Sequence, residues 1–316
     1  MEATPLLKLA KPIPRIGNYY TALLQYAAGR STIQVNCRGR VIGLDRDTFK
    51  YFAALHAYGL IKDIDCERGL IHIVNGDVLP FSELMESDHH YAAFLAGWRY
   101  NHVDGYWYRG GVRFIHMYWP IVDNFDNGIY DVVDFKGRVV LDVGAFVGDT
   151  PILFVLKGAK LVYAVEPSLR NFNEMAKNIE LNGMGNAIIP LRLLIAYRPA
   201  KLTVAKTARE RSVVKATGGE GEGAPVATLS SILDMLPTPP DILKLDCEGC
   251  EFDIADYDYG AFSRFSELII EYHSYITHRP PSDLARRLIR EFDCRLVKVP
   301  YRNPAREGVL HCRRLP

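Results

Sequence analysis

The sequence predicts an α/β protein, with a doubly wound and mostly parallel sheet that is preceded by a smaller α+β region. Three observations support this fold class. After residue 130, apolar segments of strand length alternate with helical segments, which is typical of βαβ units. Two of these apolar segments end in an acid, Asp142 and Glu166, as strands do at the edge of a cofactor-binding sheet. Residues 295–299 and 308–312 then predict a closing antiparallel pair.

The region before residue 125 carries its own local signals. Turn residues predict hairpins at residues 38–39, 68–69 and 110–111. Helices are predicted over residues 18–30, 45–58 and 87–100, the second of them starting on an Asp45 cap and followed by Gly59. We therefore predict two domains: residues 1–125, a possible substrate-recognition or cap domain, and residues 126–316.

The second domain is predicted to contain the main sheet. Its strands are expected over residues 139–143, 161–165, 187–194, 241–246 and 267–272, with short strands over 201–204 and 212–214. Its helices are expected over residues 151–156, 171–181, 228–236 and 282–292, the last of them capped by Ser282.

Composition and charge limit the possible classes of partner. The chain has 316 residues and a net charge of +1, so it has no overall field that would attract nucleic acid, although a local patch is not excluded. No apolar stretch approaches the ~20 residues that span a bilayer. The first residues include Glu2, Lys8 and Lys11 and do not resemble a signal peptide. We expect a cytoplasmic protein that does not interact with membranes; its oligomeric state is not predicted.

Six cysteines are scattered along the chain, and Cys247 and Cys250 form the only close pair. A zinc site would require a second pair or histidines at matching spacing, and the sequence shows neither. We expect the cysteines to fill small buried positions. A redox role for the CEGC segment is the alternative.

Residues 139–150, VVLDVGAFVGDT, are the most informative segment. An apolar run that ends in Asp142 predicts a buried parallel strand followed by a sharp turn. Gly144 and Gly148 allow the backbone to approach a ligand closely, since a Cβ would collide there. A helix is predicted to start near Asp149 and Thr150, with Pro151 in its first turn. This strand, turn and helix predict a nucleotide-type cofactor site.

The charges around the turn indicate which cofactor binds. Glu166 ends the next strand, where an acid can accept hydrogen bonds from both ribose hydroxyls of either NAD or S-adenosylmethionine. The spacing D-x-G-x-x-x-G-D differs from the dinucleotide pattern, and its acids would repel a pyrophosphate. The same acids would attract the sulfonium and amino groups of S-adenosylmethionine, which we predict as the cofactor. NAD, or an ordinary turn without a ligand, are the alternatives.

A second charged motif, DILKLDCEGCEFDI, covers residues 241–254. Its strand is expected to end beside the cofactor crevice, which brings Asp246, Glu248 and Glu251 together near Lys244. Such a cluster is unfavourable unless the acids bind cations, share protons or pair with the lysine. We expect a site that faces the methyl group and its acceptor. A charged strand edge that caps a helix is the alternative, and no metal is assigned.

At this point the chain resembles a known family. The runs DVGAFVGDT, AVEP, VATLSSIL, LKLDCEGCE and LIIEYH, together with Asn171, Asn178 and Asn182, are similar to FkbM-type S-adenosylmethionine-dependent methyltransferases. The resemblance covers about residues 130–300, and residues 111–130 are similar to a segment of archaeal members. It implies a class I methyltransferase fold and methyl transfer, mostly to oxygen.

The motifs assign residues to three roles. The cofactor-binding set is Asp142, Gly144, Ala145, Phe146, Gly148, Asp149, Thr150, Glu166, Pro167, Asn171, Ala196 and Asp246. The substrate-binding set is Lys244, Glu248, Glu251, Glu271 and His273, and the catalytic set is His273, Asp246 and Glu248. Ser168 stands where the family commonly has Asn or His. Near Ala196 the chain lacks the adenine-side acid that many methyltransferases use.

Transfer to an alcohol requires a group that takes its proton. His273 is the first candidate, because the ordinary pKa of histidine suits neutral pH. A purely structural hydrogen-bonding role for His273 is the alternative. Asp246 or Glu248 would serve if burial raises its pKa, and a Mg²⁺ ion held by Asp246, Glu248 and Glu251 is a further alternative.

The acceptor is the least determined feature. A hydroxyl of a small molecule or glycan is favoured by the family and by the low net charge. An RNA or protein methyltransferase and a non-catalytic S-adenosylmethionine-binding protein are the alternatives. A locally basic set is expected to be a solvated hairpin or to hold an acidic acceptor: Arg198, Lys201, Lys206, Arg209, Arg211 and Lys215. The aromatic run over residues 102–119 is expected to be core or a platform for a ring-shaped substrate.

Overall fold

The computed structural model describes residues 12–197, 201–203, 213–215, 223–299 and 302–316. The chain divides into two compact units, Met1–Val122 and Asp123–Pro316. The basic set of the sequence analysis lies outside the described residues or in strands whose side chains are not described. Within the described ranges, no helix is long and apolar enough to cross a membrane.

The first unit combines short helices with three small antiparallel sheets. Its strands are β1 (Thr32–Cys37), β2 (Arg40–Asp45), β3 (Ile61–Asp65), β4 (Leu70–Ile73), β5 (Val78–Pro80), β6 (Arg99–Asn101), β7 (Tyr106–Arg109) and β8 (Val112–Phe114). Its helices are α1 (Tyr19–Ala27), α2 (Arg46–Ala57), α3 (Phe81–Glu86) and α4 (His90–Leu95), and α5 (Trp119–Asp126) follows at the unit boundary. The sheets are β1–β2, β3–β4–β5 and β6–β7–β8, so all three predicted hairpins are confirmed.

One helix cap predicted in this unit is confirmed and one predicted helix is wrong, and each outcome has a local cause. The Asp45 side chain accepts a hydrogen bond from the Thr48 backbone N–H and caps α2, as predicted. The single helix predicted over residues 87–100 is wrong. Only His90–Leu95 is helical, because Gly97 takes a φ of +85° and ends the helix, and Arg99–Asn101 then pairs with Tyr106–Arg109.

The second unit is built on a seven-stranded sheet. Its strands are β9 (Val139–Val143), β10 (Leu161–Val165), β11 (Ile188–Leu191), β16 (Ile242–Leu245), β17 (Glu267–His273), β18 (Phe292–Val297) and β19 (Glu307–Arg314). They lie in the order β11-β10-β9-β16-β17-β19-β18. The first five are parallel, and β19 runs antiparallel to β17 and β18. This confirms the doubly wound α/β sheet with an antiparallel C-terminal pair.

Helices connect these strands. They are α6 (Asp149–Leu156), α7 (Leu169–Leu181), α8 (Leu229–Met235), α9 (Cys250–Tyr257), α10 (Ser274–Thr277) and α11 (Pro281–Leu288), with a 3₁₀ helix at Tyr259–Arg264. Short strand pairs are formed by β12 (Leu194–Ile195) with β15 (Val226–Ala227) and by β13 (Lys201–Thr203) with β14 (Val213–Lys215). The predicted Ser282 cap is wrong: α11 starts at Pro281, where a proline fits the first turn, and it ends at Leu288.

The central strands of the sheet are buried, and their carboxyl ends lie together at one edge. Every residue of Val139–Val143, including Asp142, is buried, and so is every residue of Ile242–Leu245. Apolar side chains such as Leu141, Leu243 and Leu268 pack the sheet against its helices. Because these strands are parallel neighbours, their carboxyl ends meet at one edge of the sheet.

The expectation that the cysteines fill small buried positions holds for Cys37, Cys66 and Cys312, but it did not include their pairing. All six form disulfides: Cys37–Cys66, Cys247–Cys250 and Cys294–Cys312. The sequence could not give this pairing, since the partners in two of the bridges are 29 and 18 residues apart and meet only in the folded chain. Disulfides are rare in most cytosolic proteins, so they lend no support to the predicted cytoplasmic location.

Candidate active site

The candidate site lies at the carboxyl edge of the parallel strands. Asp142 pairs in register with Lys244 on the adjacent strand, and the chain turns at Gly144 just beyond it. Asp246 lies just after the end of β16, Glu166 lies just after the end of β10, and His273 is the last residue of β17. The structure therefore brings together at one edge the acids that the sequence analysis singled out.

Two glycines shape the first turn. Gly144 has a φ of +82°, and a Cβ placed on it would lie 1.7 Å from the carbonyl oxygen of Asp246. Gly148 has a φ of +92°, and its Cβ would lie 3.2 Å from Met175 Cγ. Phe146, between them, also has a positive φ of 47°. Both glycines are therefore needed for a left-handed backbone, and Gly144 also for the close approach of two strand ends.

A buried ion pair between Lys244 and Asp142 holds this turn in place. Lys244 Nζ lies 3.0 Å from Asp142 Oδ1 and donates to the carbonyl of Gly144 at 2.7 Å. The hydroxyl of Thr150 donates to Asp142 Oδ2 at 2.5 Å. Burial alone would lower the pKa of Lys244, but Asp142 and Asp246 raise it well above its ordinary value. Lys244, predicted as a substrate contact, is buried and directed at groups of its own chain, so its ammonium holds the turn in place.

Glu166 is organised as a hydrogen-bond acceptor before any ligand arrives. Its Oε2 accepts from the backbone N–H of Phe146 at 3.0 Å, and its Oε1 accepts from the N–H of Ser168 at 2.9 Å and from Asn171 Nδ2 at 3.4 Å. Burial raises the pKa of Glu166 to about 7, and these hydrogen bonds limit the rise. Ser168 caps α7, accepting from the Asn171 N–H, and the adjacent Pro167 is half-buried.

Asp149 is a buried carboxyl with one unsatisfied oxygen. Its Oδ2 accepts from Asn124 Nδ2 at 2.6 Å. Among the described residues, its Oδ1 has no hydrogen-bond partner. Burial raises the pKa of Asp149 to about 6. An orphaned buried oxygen beside a glycine turn is expected where a polar ligand completes the site. Sequence reasoning did not assign Asn124 to the site, although it lies in residues 111–130, the segment that is similar to archaeal members of the family.

The remaining members of the cofactor set occupy supporting positions. Ala145 is buried, and its N–H donates to the carbonyl of Val165 at 3.0 Å. Ala196 is half-buried just after β12, and its N–H donates to the carbonyl of Ala227 at 3.2 Å. Both groups are thus bonded within their own chain.

His273 is the centre of a cluster of acids. Its Nδ1 lies 3.1 Å from Glu251 Oε1, and both side chains are almost completely buried. Its Nε2 lies 3.7 Å from Asp246 Oδ1, 3.5 Å from Glu271 Oε1 and 3.7 Å from Glu248 Oε2. Four carboxylates of the predicted set therefore surround one imidazole.

The surroundings of His273 favour its protonated form over a role as the proton acceptor. Burial alone would lower the pKa of His273, but the close carboxylates of Glu251 and Glu271, together with the charge of Asp246, raise it to about 12. The ring is therefore an imidazolium at neutral pH and has no free lone pair to accept a proton. The position of His273 at a strand end was predicted correctly, but the number of acids around it depends on the folded chain.

Arg302 and Asp123 are members of this cluster that sequence reasoning missed. Arg302 Nη1 forms an ion pair with Glu271 Oε1, and its Nη2 lies 3.3 Å from Asp123 Oδ2. Burial alone would lower the pKa of Arg302, but these two acids raise it above its ordinary value. Tyr130 is also close enough to interact with the charges of Glu271 and Asp246, and burial raises its pKa well above the ordinary value. The contact between Arg302 and Asp123 joins positions 179 residues apart and leaves no local signal.

A short bridged turn presents Glu248. The disulfide between Cys247 and Cys250 encloses Glu248 and Gly249, which have φ values of 55° and 123°. Glu248 Oε2 lies 3.5 Å from the hydroxyl of Tyr275. The N–H of Cys247 donates to Glu251 Oε1 at 3.2 Å, so the turn is tied to the carboxylate that orients His273.

Comparisons with known proteins agree with this arrangement. Residues 142–295 match the family model described as the methyltransferase FkbM domain. The comparison with curated proteins finds no match to this chain.

Three methyltransferases are among the solved structures to which this chain is similar. TrmK of M. capricolum with S-adenosyl-homocysteine shares 12% identity over 60% of this chain and 66% of that chain, with a TM-score of 0.40. Magnesium protoporphyrin IX methyltransferase of Synechocystis PCC 6803 with bound SAM shares 15% identity over 61% of this chain and 77% of that chain, with a TM-score of 0.40. TYW2 of M. jannaschii with AdoMet shares 15% identity over 66% of this chain and 86% of that chain, with a TM-score of 0.40.

Proposed function

Because the chain belongs to the FkbM-type S-adenosylmethionine-dependent methyltransferases through residues 142–295, we propose that it methylates a hydroxyl group of a small molecule or glycan. The observation that supports this proposal most directly is the position of Asp246. Its backbone carbonyl abuts the Gly144 turn, while its partly exposed carboxylate belongs to the acid cluster around His273. One residue thus joins the cofactor loop to the place where an acceptor would lie.

The residues around the first turn fit the proposed cofactor. The two oxygens of Glu166 are held by backbone and side-chain donors in an orientation suited to the ribose hydroxyls. The orphaned Oδ1 of Asp149 offers an acceptor for the ammonium of the methionine end. When bound, S-adenosylmethionine supplies an electrophilic methyl group on a sulfonium, which leaves as a neutral thioether.

The protein's contribution to such a transfer is alignment and proton removal. The buried Lys244–Asp142 pair keeps the turn in place, so the methyl donor is held in one orientation relative to the acid cluster. Since His273 is already protonated, the acceptor proton passes to a carboxylate. Asp246 is the best placed, because its Oδ1 and Oδ2 lie 3.7 Å from His273 Nε2 and from Lys244 Nζ, further than a hydrogen bond, and remain able to accept.

The charge of the cluster also restricts the acceptor. Asp246, Glu248, Glu251 and Glu271 face His273 and Arg302, so the described cluster carries more negative than positive charge. A phosphate of an RNA backbone would be repelled here. A neutral hydroxyl compound meets no such repulsion, which favours a small molecule or glycan over RNA.

A methyl-transfer assay tests the proposal. Labelled S-adenosylmethionine is incubated with the full chain and separate pools of sugars, hydroxylated aromatics, RNA and protein. We expect label in a hydroxyl compound and a loss of at least tenfold in kcat for Asp246→Asn, with the Kd for S-adenosylmethionine changed less than threefold. Asp293→Asn, at an exposed position on β18, is the control. Label in RNA or protein alone would overturn the proposed acceptor class, and label in no pool would favour a non-catalytic binding protein.

A further inference from the structure

The acid cluster has a geometry that would suit a metal ion. One ligand atom from each of Asp246, Glu271 and His273 can be chosen so that all three lie within 4.8 Å of one another. The distances of 3.5–3.7 Å from His273 Nε2 to the nearest oxygens exceed those of a good hydrogen bond. Ligands bonded to one divalent ion at about 2.1 Å lie roughly 3.0 Å apart when adjacent and about 4.2 Å apart when opposite. The observed spacing is close to that range.

The orientation of His273 is a second and independent observation. A histidine that binds a metal through one ring nitrogen almost always donates its other N–H to a carboxylate or carbonyl. Here Nδ1 donates to Glu251 Oε1 at 3.1 Å, and Nε2 faces the acids. Glu251 is completely buried, and among the described residues its Oε2 has no hydrogen-bond partner. Glu251 also accepts from the N–H of Cys247, so it holds the ring against the bridged turn with Nε2 directed at the acids, the orientation that a metal-binding histidine requires.

We propose that Asp246, Glu271 and His273 bind a divalent transition-metal ion such as Mn²⁺. Two carboxylates and one imidazole suit an ion that accepts both oxygen and nitrogen, and Mn²⁺ is of this kind, whereas Mg²⁺ prefers oxygen alone. The ion replaces the proton on Nε2 and offsets the excess of acids. The ligand set differs from the Asp246, Glu248 and Glu251 set considered from the sequence, because Glu251 is used in orienting His273.

Such an ion would deepen the proposed function, on which this part of the inference rests. Three protein ligands leave positions open on an ion that prefers six. The side chain of Asp246 is 29% accessible, so an acceptor could reach the cluster from this side. An acceptor with two adjacent oxygens, such as a vicinal diol, would fill the open positions. The ion would lower the pKa of the attacking hydroxyl, and the proton would pass to Oδ2 of Asp246, while Oδ1, the oxygen nearer His273, would bind the ion.

Mn²⁺ titration of the full chain, with any affinity tag removed, tests the site without relying on activity. Free Mn²⁺ is measured by its electron paramagnetic resonance signal. We expect one ion per chain and an increase in Kd of at least tenfold in both Asp246→Asn and Glu271→Gln. Glu267→Gln is the matched control, because Glu267 lies on the same strand about 13 Å away and pairs with His311 and Arg313. Its Kd for Mn²⁺ is expected to stay within twofold of wild type.

The outcomes separate this inference from the proposed function. Each variant is also checked by thermal unfolding and by calorimetric titration of S-adenosylmethionine. If one variant does not fold, the other still decides the result. Wild type that binds S-adenosylmethionine but no Mn²⁺, or variants that bind Mn²⁺ as well as Glu267→Gln does, would overturn the metal site alone. Mn²⁺ binding without S-adenosylmethionine binding would leave the metal site standing and reject the proposed function.

Discussion

Nδ1 of His273 donates to Oε1 of Glu251 across 3.1 Å, between two side chains that are almost completely buried. This contact sets the direction of the imidazole ring at the end of β17. It also connects the ring to the bridged turn, because the same oxygen accepts from the N–H of Cys247. The chemistry of the candidate site therefore depends on a residue, Glu251, that itself lies beneath the surface.

Replacing Glu251 tests this dependence. Glu251→Gln keeps an acceptor for Nδ1 but removes the negative charge that favours the ring orientation. Loss of such an outer partner typically lowers metal affinity or activity by about 10- to 100-fold. We expect that range for methyl transfer and for Mn²⁺ binding, with S-adenosylmethionine affinity unchanged, because the cofactor residues lie on other strands. Equal losses in cofactor binding would show that Glu251 acts only by maintaining the fold.

Gly144→Ala is expected to abolish cofactor binding. The added Cβ would meet the Asp246 carbonyl at 1.7 Å, a distance that requires the two strand ends to separate. Gly183→Ala is the matched control, since Gly183 has a φ of +67° with no atom within 4 Å of the added Cβ. That control measures the backbone strain alone, roughly 1–2 kcal/mol. Thermal unfolding and calorimetry of both variants should show a larger loss for Gly144→Ala; similar losses would contradict the close approach.

The pH dependence of the ligand-free protein follows from two buried acids. Burial raises the pKa of Glu166 from 4.5 to about 7 and that of Asp149 from 3.8 to about 6. The folded chain thus holds these protons where the unfolded chain has lost them, so stability is expected to fall as the pH rises from about 4 to about 7. The contribution of Glu166 is on the order of 3 kcal/mol for a shift of this size. Chemical unfolding of wild type and Glu166→Gln checks it: the variant should lose much of the decline, and an unchanged pH profile would contradict the assignment.

We expect one disulfide to contribute mainly to activity and another mainly to the stability of the fold. The bridge between Cys294 and Cys312 joins residues 18 apart, and closing a loop of similar length contributes about 3 kcal/mol. The Cys247–Cys250 bridge closes a much shorter loop around Glu248. We expect Cys247→Ser with Cys250→Ser to reduce methyl transfer more than stability, and Cys294→Ser with Cys312→Ser to show the reverse. Peptide mapping first establishes the pairing. Parallel effects in the two double variants would argue against a special role for the bridged turn.

Much of the sheet could be predicted from local signals. The strands Val139–Val143 and Leu161–Val165 have the predicted bounds, because each is an apolar run with a clear acid at its end. The glycine turn and Glu166 were found for the same reason. The helix predicted over residues 87–100 failed because Gly97 separates a short helix from a strand, and a helical pattern alone does not show which side of a glycine continues it.

The contacts within the site were harder to predict. The sequence placed Asp246, Glu248, Glu251, Glu271 and His273 near one edge, but their distances depend on how adjacent strands are aligned. Arg302 comes from the loop before β19 and reaches Glu271 and Asp123 only in the folded chain. The choice of His273 as the first candidate base rested on the ordinary pKa of histidine, whereas the pKa in the folded chain depends on the sum of the neighbouring charges, which the sequence does not show.

The central claim is that the Gly144 turn and Glu166 form an S-adenosylmethionine site. Calorimetric titration of S-adenosylmethionine, S-adenosyl-homocysteine and NAD into wild type and Glu166→Ala tests it most directly, with Glu180→Ala on the exposed part of α7 as the control. We expect wild type and the control to bind the two sulfur ligands and not NAD, and Glu166→Ala to bind them at least tenfold more weakly. Binding of NAD alone, or no binding of either sulfur ligand by the folded wild-type protein, would contradict it.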